Sequence, residues 1–179
     1  MKKIVITLFL SMLSVMSSAS DLGPVEMLDG KVLMLTPYKF KEMSDEQIKA
    51  HFGSKSQRPD EVLSNESGDV MLMYSYTQDP ISSKYFRYQH RSLSKKVHKG
   101  MPPGSKWIRD QVIEQNGNDF IVMEFILPTI GNRMSQHLIV YGASVNERFL
   151  TIHFTTSIEL ADEWLPKGKE MMESIFILK

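Results

Sequence analysis

The sequence predicts an α+β fold: an antiparallel sheet of about six to seven strands, covered by helices. Three observations carry this. Four consecutive strand-patterned segments, joined by short turns, fill residues 106–156. One of them is apolar on both faces, so both of its sides need cover. Segments of helical periodicity lie on either side of this block, over 81–99 and after 157.

The elements follow in chain order. Met1-Lys2-Lys3 is a short basic start, residues 4–16 are mostly apolar, and Ser17-Ser18-Ala19-Ser20 are small. That is the layout of a secretory signal peptide over residues 1–20, cut near Ala19 to Asp21. The apolar run is shorter than the roughly 20 residues a spanning helix needs. No later stretch is long and apolar enough to cross a bilayer, so no transmembrane segment is expected after signal removal. Residues 21–179 then form a single domain, expected to be periplasmic or secreted.

Residues 31–35 read as a first strand, ended by Pro37. Ser44 followed by Gln47 has capping-box spacing, and Gly53 closes the helix so opened. Ile48 and Phe52 form its buried edge. Residues 54–60 are a polar loop. Residues 61–65 and 70–77 read as two strands around Glu66-Ser67-Gly68-Asp69. Asp79 suits an N-cap and Pro80 a first helical position, so the next helix is expected to begin there. It reaches Val97, before Gly100 and the breaker Met101-Pro102-Pro103-Gly104.

In the strand block, residues 106–115 alternate. Trp107, Arg109, Gln111 and Ile113 fall on one side, and Ile108, Asp110 and Val112 on the other. Asn116-Gly117 fits the positive φ angles of a type I′ turn. Residues 119–130 are the two-sided strand, apolar throughout its core except at Glu124. Gly131-Asn132 is the second turn, residues 136–142 the third strand, residues 144–147 the third turn and residues 148–156 the fourth strand. Thr156 with Glu159 repeats capping-box spacing. The last helix carries Leu160, Trp164, Met171, Met172 and Ile175, with a bend expected at Pro166. Residues 176–179 can add a short final strand.

This order of elements resembles the PsbP-like fold, the superfamily of the extrinsic photosystem II protein, a nuclear Ran-binding import factor and small bacterial proteins. The residues carrying the likeness are Gly30-Lys31-Val32 with Pro37 and the helix opened by Ser44. They continue with the hairpin at Asn116-Gly117 and the ending Leu150-Thr151-Ile152-His153-Phe154, followed by Glu163-Trp164 and Glu173-Ser174-Ile175. The resemblance covers most of residues 21–179. It implies an α/β/α sandwich and a binding or chaperone-like role in place of catalysis. Some cytoplasmic bacterial relatives chaperone secretion effectors; a signal peptide departs from them. A fold alone does not fix a function.

Composition narrows the chemistry. The chain has no cysteine, which excludes disulfides, cysteine–zinc sites, a thiol nucleophile and lipid attachment through cysteine. Charge is balanced at 21 basic and 21 acidic residues; without Lys2 and Lys3 the net is −2. Global charge therefore gives no pull toward nucleic acid or an anionic membrane.

Local charge differs. The 81–99 segment holds six Lys or Arg residues and no acidic one. At about 100° per residue, Lys84, Arg87, Arg91, Lys95 and His98 share one stripe, and Phe86, Leu93 and Val97 the opposite one. Such a stripe fits an acidic protein partner; an ordinary solvated face gives the same pattern. Nucleic acid is not expected, because the stripe lacks interleaved aromatics and the compartment is wrong.

Two histidines and a carboxylate can hold zinc or iron, so Glu124, His137 and His153 are the candidate metal set. A one-residue register slip would scatter them over two faces. Glu124, in an apolar strand, could instead meet Arg109 or Arg133. Met71, Met73 and Met123 are read as packing. There is no Gly-x-Ser-x-Gly elbow, phosphate-binding glycine loop or dinucleotide fingerprint, and no cofactor is expected. The first functional reading is thus an exported, non-enzymatic envelope protein that binds another protein, as a chaperone or by neutralising a toxin. A periplasmic hydrolase or metal-dependent enzyme, and a small-ligand carrier, are the alternatives.

Overall fold

A computed structural model describes residues 21–53, 58–131 and 134–178. The signal-like segment, part of the 54–60 loop, the second half of the Gly131-Asn132 turn and Arg133 lie outside the described residues.

Seven strands form the large sheet: β3 (Lys41–Glu42), β4 (Glu61–Ser64), β5 (Val70–Pro80), β6 (Lys106–Gln115), β7 (Asn118–Leu127), β8 (Gln136–Val145) and β9 (Arg148–Ser157). Their spatial order is β3-β4-β5-β9-β8-β7-β6. The described neighbours pair antiparallel. The four strands predicted as a block are therefore consecutive neighbours. Asn116 and Gly117 both take positive φ, 51° and 73°, as the type I′ turn requires. Asn146 and Glu147 do the same at 50° and 59°. The third turn is thus these two residues alone, narrower than residues 144–147.

Sheet parity sorts the side chains into two layers. On one face, Phe120, Val122, Ile139, Tyr141, Leu150, Ile152 and Phe154 pack with Met171, Met172 and Ile175 in the main core. The covering layer there is α3 (Ala161–Glu173) together with a second, three-stranded sheet. That sheet is β1 (Leu22–Met27), β2 (Val32–Pro37) and β10 (Phe176–Ile177), with β2 central and buried at every position. On the other face, Ile121, Met123 and Phe125 pack with Phe86, Leu93 and Val97 of α2 (Phe86–Gly100). On that same face α1 (Asp45–Phe52) buries Ile48 against Val62 and Met71. The two-sided strand β7 is covered on both sides, as its sequence requires.

The helix ends show which local signals prevailed. Ser44 caps α1 with the full box: its hydroxyl accepts from Gln47 N, and Gln47 Oε1 accepts from Ser44 N at 2.8 Å. Gly53 at φ 71° ends it. The expected start at Asp79-Pro80 is wrong. Strand β5 runs through Pro80, which pairs with Arg148 beyond a register shift. The helix follows a 3-10 turn at Ser83–Tyr85. Proline fixes φ near −65°, which suits a strand end next to an irregularity as well as a first helical turn. The second expected capping box, Thr156 with Glu159, also fails. Thr156 stays in β9, its hydroxyl donating to Ser157 O. The cap falls on Ser157, which makes no side-chain cap bond, and Ile158–Leu160 form a 3-10 turn.

Helix α3 then runs as one element across Pro166. That proline is the sixth residue of the helix, so the Asp162 carbonyl loses its intrahelical donor and the helix continues past it. Gly168 sits where α3 meets the sheet; a Cβ there would stand 2.3 Å from the Phe154 ring.

Candidate functional site

Helix α2 lies over β6 and β7, and its two flanks do different work. Lys84, Arg87, Arg91 and Lys95 are all exposed, Lys84 in the preceding 3-10 turn and the other three on α2. Four of the five residues of the sequence stripe are therefore at the surface, beside one another on successive turns. Tyr88 stands among these residues and is 75% exposed, so an aromatic is interleaved after all. At three residues before Arg91 and seven before Lys95, it shares their helical face. A surface groove of about 450 Å³ is lined by Arg87, Tyr88, His90, Arg91 and Val112.

The other flank is pinned to one carboxylate of the edge strand. His90 Nε2 lies 2.6 Å from Asp110 Oδ1, and His98 Nε2 lies 3.2 Å from Oδ2. The Ser94 hydroxyl donates to Oδ2. His90, Ser94 and His98 are spaced by four, so each adds one turn to the same line. Burial pushes the Asp110 carboxyl upward, but the bonds from Ser94, His90 and His98 outweigh it, and its pKa is lowered. The His98 ring also stacks on Trp107, with centroids 3.7 Å apart. His98 thus belongs to the anchor and not to the free ridge.

Trp107 reaches that ring because a register shift interrupts β6 between Trp107 and Arg109. The bulge moves Trp107 to the face of Asp110 and Val112, opposite to strict alternation. Asp110 was not singled out in the sequence. The i, i+4, i+8 spacing of His90, Ser94 and His98 was the available signal for an anchor beneath the helix.

The histidine–carboxylate set divides. Glu124 is 3% exposed, on the α3 face of β7. His137 Nε2 lies 2.9 Å from its Oε1, Arg109 Nε 3.5 Å from its Oε2, and Lys169 Nζ 3.6 Å from its Oε1. The expected Arg109 contact forms, and Lys169 of α3 joins it. Tyr141 lies beside Arg109; burial raises its pKa, against the lowering effect of the guanidinium.

His153 is elsewhere. His137 pairs with Thr156, and residue 153 is an odd number of positions away, so its side chain points to the opposite face. Burial lowers its pKa to about 4, leaving a neutral imidazole. Among the described residues, no group of three or more His, Asp or Glu side chains is arranged to hold a metal. Met71 and Met123 are buried in packing clusters, as read from sequence. No helix among the described residues is long and apolar enough to cross a membrane.

No protein-family model matches the chain, and no curated protein matches it in sequence. Solved structures do match in shape. Cyanobacterial PsbP from Synechocystis sp. PCC 6803 superposes with a TM-score of 0.57 at 12% identity, over 90% of this chain and 95% of that one. LpqN of Mycobacterium tuberculosis, described as involved in cell envelope biogenesis, gives 0.55 at 10% identity, over 88% and 91%. A Pseudomonas aeruginosa protein of unknown function gives 0.51 at 12%, over 88% and 97%. The flanking helices, the seven-stranded antiparallel sheet and these superpositions together give the chain the PsbP-like fold.

Proposed function

We propose that this chain is an exported, non-enzymatic binding module of the cell envelope. In this reading a signal peptide over residues 1–20 precedes one binding domain over residues 21–179. An acidic protein partner docks on the ridge of Lys84, Arg87, Arg91 and Lys95. One observation carries the reading. The four residues are exposed on a helix and its leading 3-10 turn that carry no acidic residue, while the helix's own carboxylate partner, Asp110, is engaged behind it. Like charges at these spacings repel, and a partner carboxylate would relieve them.

The export half draws on the leader-like sequence of residues 1–20 and on the envelope role described for LpqN. Against catalysis stands the placement of His153, which lies across the sheet from Glu124 and His137. Chaperoning a secreted partner and neutralising a toxin are two forms the binding could take.

The test uses the mature chain, residues 21–179, immobilised and offered an envelope extract. A variant with Lys84, Arg87, Arg91 and Lys95 all changed to Glu serves as comparison, its fold checked by circular dichroism. Proteins retained by the wild type and released by the variant, and eluted by salt, are the expected result. Equal retention by both removes the ridge from the account. Fractionation of the tagged full-length chain tests export, and a cytoplasmic location would end that half.

A further inference from the structure

Resting on that reading, we infer that the groove between α2 and β6 is the docking point within the ridge. It takes a carboxylate that has an apolar side chain beside it, on an acidic protein segment. Arg87 and Arg91 line the groove four residues apart, one above the other on the helix. Guanidinium groups present a planar fork of donors that matches carboxylate oxygens, which the lysines of the ridge do not. Lys84 and Lys95 supply field; the two arginines supply geometry.

The groove also offers apolar contact. Val112 of β6 forms part of its lining and is only partly buried, and the Tyr88 ring stands 75% exposed beside it. An apolar side chain entering here would exchange water for a valine and a phenol ring. His90 is the remaining wall, and its ring is held 2.6 Å from Asp110. The wall is therefore set before a partner arrives, which reduces the ordering that binding requires. One anion fork beside one apolar contact matches a peptide carboxylate with an apolar neighbour. A nucleic-acid strand would instead need aromatic platforms spread along a basic track, whereas the two exposed ones here, Tyr85 and Tyr88, stand together at the start of the helix.

The experiment measures fluorescence anisotropy of two labelled eight-residue peptides on the mature chain. One alternates Glu with Phe and the other Glu with Gly, so their charge is equal. The Glu/Phe peptide is expected to bind about tenfold tighter, from burial of one apolar side chain. Tyr88→Ala, at an exposed site, and separately Val112→Ser should each reduce that preference. Arg87→Glu with Arg91→Glu should abolish binding of both peptides. Lys84→Glu with Lys95→Glu should weaken both equally and keep the preference. Equal binding of the two peptides by the wild type overturns the groove and leaves the ridge reading standing. Binding of neither peptide overturns both. An oligothymidine of equal charge that binds as tightly as the Glu/Phe peptide also overturns it.

Discussion

Glu124 Oε1 lies 2.9 Å from His137 Nε2, across neighbouring strands β7 and β8, on the face of the large sheet that α3 covers. Arg109 and Lys169 approach the same carboxylate at 3.5 and 3.6 Å. A buried carboxylate so surrounded acts as a keystone, because its removal leaves cationic and polar groups without their counter-charge.

Glu124→Ala should therefore destabilise the fold by about 3–5 kcal/mol, the range for breaking a buried pair by removing one partner. Urea unfolding followed by tryptophan fluorescence measures it. A loss under about 1 kcal/mol would mean that water replaces the carboxylate at no cost.

His153 gives the fold a defined acid sensitivity. Its pKa is about 4 in the folded chain, against 6.5 for a free imidazole. Between those values the unfolded chain binds more protons than the native one, so stability falls as pH falls. The contribution is fully present above pH 6.5 and is lost on the way down to pH 4, at most about 3 kcal/mol. Thermal melts from pH 7.5 to 4 should show a shallower acid slope for His153→Leu than for the wild type. Parallel slopes would assign the acid sensitivity to the carboxylates alone.

Asp110 holds three successive turns of α2, through His90, Ser94 and His98. Asp110→Ala should cost about 1–3 kcal/mol, since it leaves partly buried donors without an acceptor. The more specific sign is local. Amide hydrogen exchange should speed up along α2 while β7, β8 and β9 keep their protection. Uniform loss of protection over the whole chain would show that this contact does not hold α2 separately.

Gly168→Ala tests a close approach. Helix propensity alone favours alanine by about 1 kcal/mol. The new Cβ would meet the Phe154 ring at 2.3 Å, and Phe154 is fully buried in the main core. Overlap should win, for a net loss of about 1–3 kcal/mol. Phe154→Leu in the same chain should recover part of it. A Gly168→Ala variant more stable than the wild type would show that α3 shifts to make room.

Local chemistry explains which parts of this fold could be read from sequence. Asn116-Gly117 and the Ser44–Gln47 box are signals complete within a few residues, and both form as expected. The apolar run of β7 states its own two-sided burial. Pro80 misled because its fixed φ suits both a strand end and a helix start; its pairing with Arg148 decided the matter, and that residue is far away in sequence. The three-stranded sheet was half visible. Its central strand is apolar, but β1 contains Gly23 and Pro24, and β10 is two residues long.

The candidate site divided along the same line. The charged ridge follows from helical period alone, so it was legible. The split of Glu124 and His137 from His153 depends on strand register, which no residue type declares. The displacement of Trp107 depends on a bulge, which strict alternation cannot anticipate. Tyr88 was legible: three residues before Arg91 and seven before Lys95, it lies at ridge spacing.

The three-stranded sheet has a practical bearing on the ridge. Leu22 and Ile177, near the two ends of the described chain, both belong to it, and it lies across the large sheet from α2. A surface, bead or tether that grips the molecule near either residue holds it from behind. The cationic helix then faces outward, unobstructed, toward whatever passes.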